Sequence, residues 1–176
     1  AQSYLSAKEW YQKSAQLWNE EAAFKLSLLM IDGSLGSQDF KGALRISLPF
    51  AEIGFARLQL MAAMLLKNKE SKIYDPIRAH QWANLATQSN NEEIRKVAIS
   101  TRSSIEKLLN STDLLKAQQL AKNWKPKEKD ALPSKSVGSG KLPILNIDLS
   151  NTLNSSQAKA TLHKFEIPLT RDAFFQ

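Results

Sequence analysis

The chain has 176 residues, of which 43% are apolar and 23% charged, with a net charge of +7, a composition typical of one folded domain rather than of a disordered chain. It has no cysteine, which excludes disulfides, thiolate zinc sites and cysteine nucleophiles, and it lacks the run of about 18 apolar residues that predicts a membrane-spanning helix. The positive charge favours anionic partners, but the basic residues are spread along the chain without an aromatic platform, so no nucleic-acid site is predicted.

The first residue is Ala1 and not Met. This suits an exported protein whose signal peptide has been removed, and it suits a trimmed chain equally. We expect a periplasmic or exported protein, with a cytoplasmic location as the alternative.

Two helices are predicted before residue 33. The first covers about residues 3–17, where one stripe recurs at spacings of three and four: Tyr4, Ala7, Tyr11, Ala15 and Trp18. The second runs from Glu20 to Ile31, and its two N-terminal glutamates suit the helix dipole. Gly33 is the expected stop, because glycine accepts the left-handed conformation that ends helices.

The next two helices are predicted from Asp39 to Lys67, with Gly54 at the bend. Asp39 can cap helix three, and Pro49 is expected to kink or end it, because proline removes a backbone donor and clashes with the preceding turn. Helix four is apolar on two sides, which predicts a position between neighbouring helices. Its apolar residues are Phe55, Leu58, Leu60, Ala62, Ala63, Met64 and Leu65.

Three more helices are predicted up to Trp124. Asp75 followed by Pro76 is a start signal for helix five, and Asn90 or Asn91 caps helix six, whose stripe extends to Leu108. Ser111 or Thr112 is expected to cap helix seven. Its predicted inward residues are Leu114, Ala117, Leu120, Ala121 and Trp124.

A period of 36 residues connects these helices. It relates Ala7, Ala43 and Ala79; Trp10, Ile46 and Trp82; and Ala15 and Ala51. Such a period predicts stacked helix pairs, and hence an all-α fold: a right-handed α/α solenoid of three helix pairs plus a closing helix over residues 1–126. Trp10, Trp82 and Trp124 are predicted core residues, whereas Trp18 fits either the core or a binding groove.

The same segments resemble a known family. The quoted motifs are Ala7-x-x-Trp10-Tyr11-x-Lys13-Ser14-Ala15, Ala79-x-x-Trp82-Ala83-Asn84-Leu85-Ala86 and Ala117-Gln118-Gln119-Leu120-Ala121-x-x-Trp124. The first two resemble the first helix of Sel-one-like repeats, a subfamily of tetratricopeptide-like α/α repeats, and the third resembles the helix that closes such arrays in bacterial members. The resemblance covers residues 3–126; in the second repeat Pro49 and Phe50 replace Lys13 and Ser14. It implies a curved helical scaffold that binds other proteins, without catalytic residues.

The composition changes after Pro126. Residues 127–141 are rich in Lys, Ser and Gly and predict a flexible linker, and residues 142–176 predict an extended tail with strand-like alternation. The tail residues predicted to bind protein are Leu145, Ile147, Leu149, Phe165, Ile167, Leu169, Phe174 and Phe175. Because alternating strands suit addition to a sheet edge, we expect the tail to dock on a partner or a second copy, with the two terminal phenylalanines as anchors.

No motif predicts a catalytic, cofactor or metal site. Residues 137–141 lack the flanking residues of a phosphate loop, and His80 and His163 have no ligand motif. Ser104 with Lys107, and Ser156 with Lys159, match a serine–lysine spacing but no second motif. We therefore predict a non-enzymatic scaffold or adaptor in a bacterial envelope or exported assembly, bound to other protein subunits and possibly homo-oligomeric. The alternative is a regulatory or accessory subunit of an enzyme complex.

Overall fold

The computed structural model describes residues 2–33 and 36–128, with side chains from Ser6 onwards. These residues form seven α-helices and no strand, so the predicted all-α class is confirmed for the described part of the chain. The helices are α1 (Gln2–Gln16), α2 (Glu20–Ile31), α3 (Phe40–Glu52), α4 (Ala56–Leu66), α5 (Pro76–Ala86), α6 (Glu92–Glu106) and α7 (Ser111–Asn123).

The 36-residue period also governs where the helices begin. The first residues of α2, α4 and α6 are 36 apart, as are those of α3 and α5. The capping residues follow the same spacing: Asp39 accepts from the Gly42 amide at 2.7 Å and Asp75 from the Arg78 amide at 3.0 Å. The first turn of a helix leaves backbone amides without acceptors, and a capping side chain accepts from one of them. Caps that recur every 36 residues therefore place helix starts at the same spacing.

Helices that follow one another in sequence also pack together from α1 to α6, and α4 additionally contacts α2 and α6. Every residue of α4 from Leu58 to Leu66 is buried, which confirms the prediction from its two apolar sides. The last helix, α7, packs on α5. Since only one face of α7 has this neighbour, Ala117 and Ala121 are buried while Leu120, predicted to face inward, is 43% exposed.

Small residues let α2 and α3 approach closely. The Ser27 hydroxyl lies 3.0 Å from the Ser47 hydroxyl, and each lies 2.9 Å from a carbonyl of its own helix, that of Ala23 and that of Ala43. Since each hydroxyl has one proton, one of them donates to the other hydroxyl and the second donates to a carbonyl. The Ser27 hydroxyl is also 3.4 Å from the Ala43 carbonyl of α3. Buried hydroxyls are stable here because each has partners on both helices.

Pro49 does not end α3, which continues to Glu52; the predicted early end is wrong. A proline in the last turn lacks only its own N–H donor. The amides that follow it still donate to carbonyls, and the Ile53 amide donates to the Pro49 carbonyl. Phe50 and Ala51 beyond it are fully buried. Their burial stabilises the last turn, which outweighs the local preference of proline.

Two other helix ends differ from prediction. α6 ends at Glu106 and leaves Leu108 partly exposed beyond it. Asn110, and not Ser111 or Thr112, caps α7 by accepting from the Asp113 amide at 2.8 Å. Asn is as good a cap as Ser, and the cap lies one residue before the first predicted candidate.

The turns after α1 and α3 each contain a residue with a left-handed backbone conformation. Gly54 has a φ of 107°, and Trp18, 36 residues earlier, has a φ of 64°. A bulky residue is strained in this region, but the Trp18 ring packs against Phe50, with ring centroids 5.3 Å apart. Trp18 therefore belongs to the edge of the core, one of its two predicted positions.

Candidate protein-interaction surface

One set of equivalent positions is buried in α3 and α5. These are Ala43, Ile46, Ser47 and Phe50 in α3 and Ala79, Trp82, Ala83 and Ala86 in α5, and none is more than 3% exposed. In α3 these positions face the preceding helix, since Ser47 contacts Ser27 of α2. In α5, Ala86 belongs to the same buried cluster as Leu60 and Met64 of α4.

The same positions in α1 are more exposed, although Tyr11 also packs against the core. They are Ala7, Trp10, Tyr11 and Ser14, which we call the α1 face. Trp10 is 72% exposed and Leu17, seven residues on, is 74% exposed. The prediction of Trp10 as a core residue is wrong, because no described helix precedes α1 to cover it. Trp82 is buried as predicted, and Trp124 is partly buried against it, with ring centroids 6.4 Å apart.

Charged groups border the α1 face on two sides. The Lys13 ammonium lies 5.8 Å from the centre of the Trp10 ring, and the Lys25 ammonium of α2 lies 5.8 Å from that of Tyr11. These distances suit cation–π attraction. Lys25 also pairs with Glu21 at 2.8 Å. The surface is therefore aromatic at its centre and charged at its rim, the composition of many protein-binding patches.

Behind the α1 face, Lys8 is buried at the position that Leu44 occupies in α3 and His80 in α5. Burial strips water from its ammonium group and lowers the pKa of Lys8, and the neighbouring Glu9 carboxylate opposes this shift. Burial at this position thus disfavours the charge of Lys8.

The chain after α7 is fastened to α3. Trp124 lies against Gly54, where an added Cβ would be 3.7 Å from its ring. The Lys127 amide donates to the Glu52 carbonyl at 2.8 Å, and its ammonium group pairs with the Glu52 carboxylate at 3.0 Å. The segment that leads to the tail therefore departs from the C-terminal end of α3.

No model of a known protein family matches the chain, and no curated protein matches its sequence.

The eight predicted tail residues lie outside the described part of the chain, as does the linker after Glu128. They are Leu145, Ile147, Leu149, Phe165, Ile167, Leu169, Phe174 and Phe175. Their binding of protein stays a prediction. The α1 face was not among the predicted sites. The sequence did indicate it, because Trp10 is a large aromatic residue in the first copy of a position that recurs every 36 residues.

His80 takes part in a polar contact between helices. Its Nε2 lies 3.2 Å from the Glu106 carboxylate, which is also 3.4 Å from Arg102 Nε, and Arg102 donates to the Asn84 side chain at 3.0 Å. These contacts join α5 to α6, so His80 is a buried packing residue. Ser104 donates to the carbonyl of Thr101 in its own helix at 2.7 Å.

Among the described residues, no group of three or more metal-ligating side chains occurs. None of their helices combines the length and apolarity needed to cross a membrane.

Proposed function

We propose that this chain is a non-enzymatic protein-interaction scaffold or adaptor. In this proposal the helices form a right-handed α/α solenoid of three helix pairs and a closing helix, as in the Sel-one-like repeats that the sequence resembles. The common spacing of helix starts, the recurring caps and the packing of successive helices support this arrangement. Repeat proteins of this kind use extended surfaces to bind other proteins.

The observation that carries the proposal is the exposure of Trp10 in the α1 face. No described helix covers the Trp10 side chain, which is 72% exposed. Ile46 and Trp82 at the equivalent positions are each only 3% exposed. Exposed aromatic residues at the centre of a patch are frequent binding hot spots, since one tryptophan buries a large area at a small entropic loss. A partner that covers Trp10 and Leu17 would restore the environment that the other repeats provide.

The tail offers a second attachment in the same proposal. The chain that leads towards it is held to α3 by the contacts of Lys127 with Glu52, and the alternating apolar residues of the tail suit addition to a sheet edge of a partner. Two attachments on one chain raise the effective concentration for joint binding. The bacterial envelope or an exported assembly is the proposed setting, by resemblance to bacterial members of the family.

The test is affinity capture of native partners with four forms of the chain. They are the intact chain, the double variant Trp10→Ser/Leu17→Ser, a form that lacks residues 142–176, and the control variant Leu115→Ser. Leu115 is similarly exposed, at 65%, but lies on α7. We expect one or more proteins enriched by the intact chain and the control, and depleted in the other two forms. Equal enrichment by all four forms, or none by any, would refute the proposal.

A further inference from the structure

We propose that residues 142–150 of the tail cover Trp10 and Leu17 of the same chain until a partner binds the tail. This inference rests on the proposed function, in which Trp10 and the tail both bind a partner, and it adds that they contact each other before the partner is bound. Its basis is the exposure of Trp10 and Leu17, at 72% and 74%, together with the place where the chain leaves the described fold.

The chain leaves the described fold close to the C-terminal end of α1. Lys127 is bonded to Glu52 at the C-terminal end of α3. Two residues before Glu52, the Phe50 ring packs against the Trp18 ring, with ring centroids 5.3 Å apart, and Trp18 directly follows Leu17. Packed helices have axes about 8–10 Å apart, so α1 ends within about 20 Å of Lys127.

The predicted linker is long enough to return the tail to α1. Residues 128–141 number 14 and can span up to about 46 Å, which is more than the distance to Leu17. Residues 142–150 follow directly, so they have a higher effective concentration at α1 than the later apolar segment of the tail. The described residues form no strand, so no sheet edge among them competes with α1 for this segment.

The segment matches the exposed residues of α1 in length. Trp10 and Leu17 are seven residues apart on the helix, a rise of about 10 Å. In the extended conformation predicted for the tail, Leu145 and Leu149 lie on the same side and about 13 Å apart. Because the linker arrives at the Leu17 end, Leu145 covers Leu17 and Leu149 covers Trp10.

The segment also matches α1 in charge. Lys13 is exposed between Trp10 and Leu17, and its ammonium group lies 5.8 Å from the centre of the Trp10 ring. A segment that covers Trp10 therefore meets a cation at its edge. Asp148 is the only charged residue of 142–150, and its carboxylate is placed to pair with Lys13. An exposed ion pair of this kind fixes the position of the segment more than it adds affinity.

The small exposed area suits a contact within one chain. Covering Trp10 and Leu17 buries on the order of 300 Å², whereas a standard interface between separate molecules buries about 800 Å² per partner. The linker replaces the missing affinity, because a short tether supplies an effective concentration of about 1 mM. A contact with a dissociation constant of about 1 mM is then formed in about half of the molecules. The tail is therefore held weakly enough for a partner to remove it.

This contact couples the two proposed attachments to a partner. A partner that adds the tail to its sheet edge withdraws residues 142–150 from α1 and leaves Trp10 accessible. Without such a partner, Trp10 is accessible in about half of the molecules, which lowers its apparent affinity for other proteins about twofold. The tail thus favours partners that bind both the tail and Trp10.

The experiment uses the absence of cysteine from the native sequence. In the full chain at about 5 µM, Lys13→Cys with Asp148→Cys should form a disulfide within one molecule under mild oxidation, because the contact brings these positions together. The control is Lys116→Cys with Asp148→Cys, which should form several-fold less. Lys116 is exposed on α7 and lies eight residues, about 12 Å, before Trp124, so it is also within reach of the linker.

Nuclear magnetic resonance of the indole N–H groups gives the second readout. The Trp10 signal, identified by its absence in Trp10→Phe, should shift when residues 142–176 are removed, whereas the signal of the buried Trp82 should not. Adding a synthetic peptide of residues 142–150 to the shortened chain should reverse the shift, with half of the effect at about 1 mM. A control peptide should have no effect. It carries Leu145→Ser, Ile147→Ser and Leu149→Ser.

The outcomes separate this inference from the function on which it rests. Equal disulfide yields at positions 13 and 116, disulfides between molecules, or a Trp10 signal that does not depend on the tail overturns the contact within the chain. If one of these results is found but Trp10→Ser/Leu17→Ser still abolishes capture of another protein, the scaffold proposal stands and only the inference fails. If the contact forms but capture depends on neither Trp10 nor the tail, the scaffold proposal fails. Far-ultraviolet circular dichroism of each variant verifies that it is folded.

Discussion

The substitution Ala43→Leu tests the packing of α2 against α3. Ala43 is fully buried, and its carbonyl accepts from Ser47 at 2.9 Å and lies 3.4 Å from the Ser27 hydroxyl of the facing helix. Three added carbons have no space between helices this close, so the helices must separate or the side chain must leave its preferred rotamer. Overpacking of this kind costs about 1–3 kcal/mol, which corresponds to a fall in Tm of roughly 4–12 °C for a domain of this size.

The chain contains its own control for this change. Ala7 stands at the equivalent position of α1, where the face is open, so Ala7→Leu should alter stability by less than about 0.5 kcal/mol. Ala79→Leu should resemble Ala43→Leu, because Ala79 is also fully buried. Thermal and urea unfolding followed by circular dichroism at low protein concentration would measure all three. An unchanged Tm for Ala43→Leu, or equal losses for Ala7→Leu and Ala43→Leu, would refute the assigned register.

Three further predictions follow from single residues. Gly42→Ala should lower the free energy of unfolding by about 1–3 kcal/mol despite the better helix propensity of alanine, because the new methyl group would displace the Asp39 carboxylate that caps α3 and would also meet the end of Met30; a higher urea concentration at the unfolding midpoint would contradict this. Lys8→Met should stabilise the fold, because it removes the buried charge whose pKa is lowered. The gain should be largest below the lowered pKa of Lys8 and should decline as the pH rises from there to the ordinary pKa of lysine; a gain that grows with pH over this range would oppose the reasoning. Finally, the purified chain should show no hydrolase or transferase turnover, and activity that is lost on Ser104→Ala or His80→Phe would disprove this expectation.

Local chemistry explains why the helix boundaries were predictable. A capping side chain such as Asp39 or Asp75 satisfies the first amides of its helix without help from distant residues. The start of α5 is read directly from Asp75 followed by Pro76, and that of α2 agrees with its two N-terminal glutamates. The two apolar sides of α4 likewise predicted its central position. In each case the determining residues lie within about one turn of the feature that they determine.

The errors arise where a distant neighbour decides the outcome. Pro49 opposes a helix locally, but the core that receives Phe50 lies in other helices. Trp10 has the pattern of a buried residue, and only the lack of a described helix before α1 makes it exposed. The side on which α7 packs could not be read from its sequence, because Leu120 is as apolar as Leu114. The proposed tail site awaits measurement, since its residues lie beyond the described chain.

The attachment of residues 124–127 has a mechanical consequence. A partner that holds the tail exerts tension on the chain at Lys127, whose backbone and ammonium group are both bonded to Glu52. This tension reaches the C-terminal end of α3 before it reaches α7, so these bonds and the Trp124 contact must break before α7 can be peeled from α5. Force on the tail is thus distributed over the core, and the outermost helix is shielded from being pulled away first.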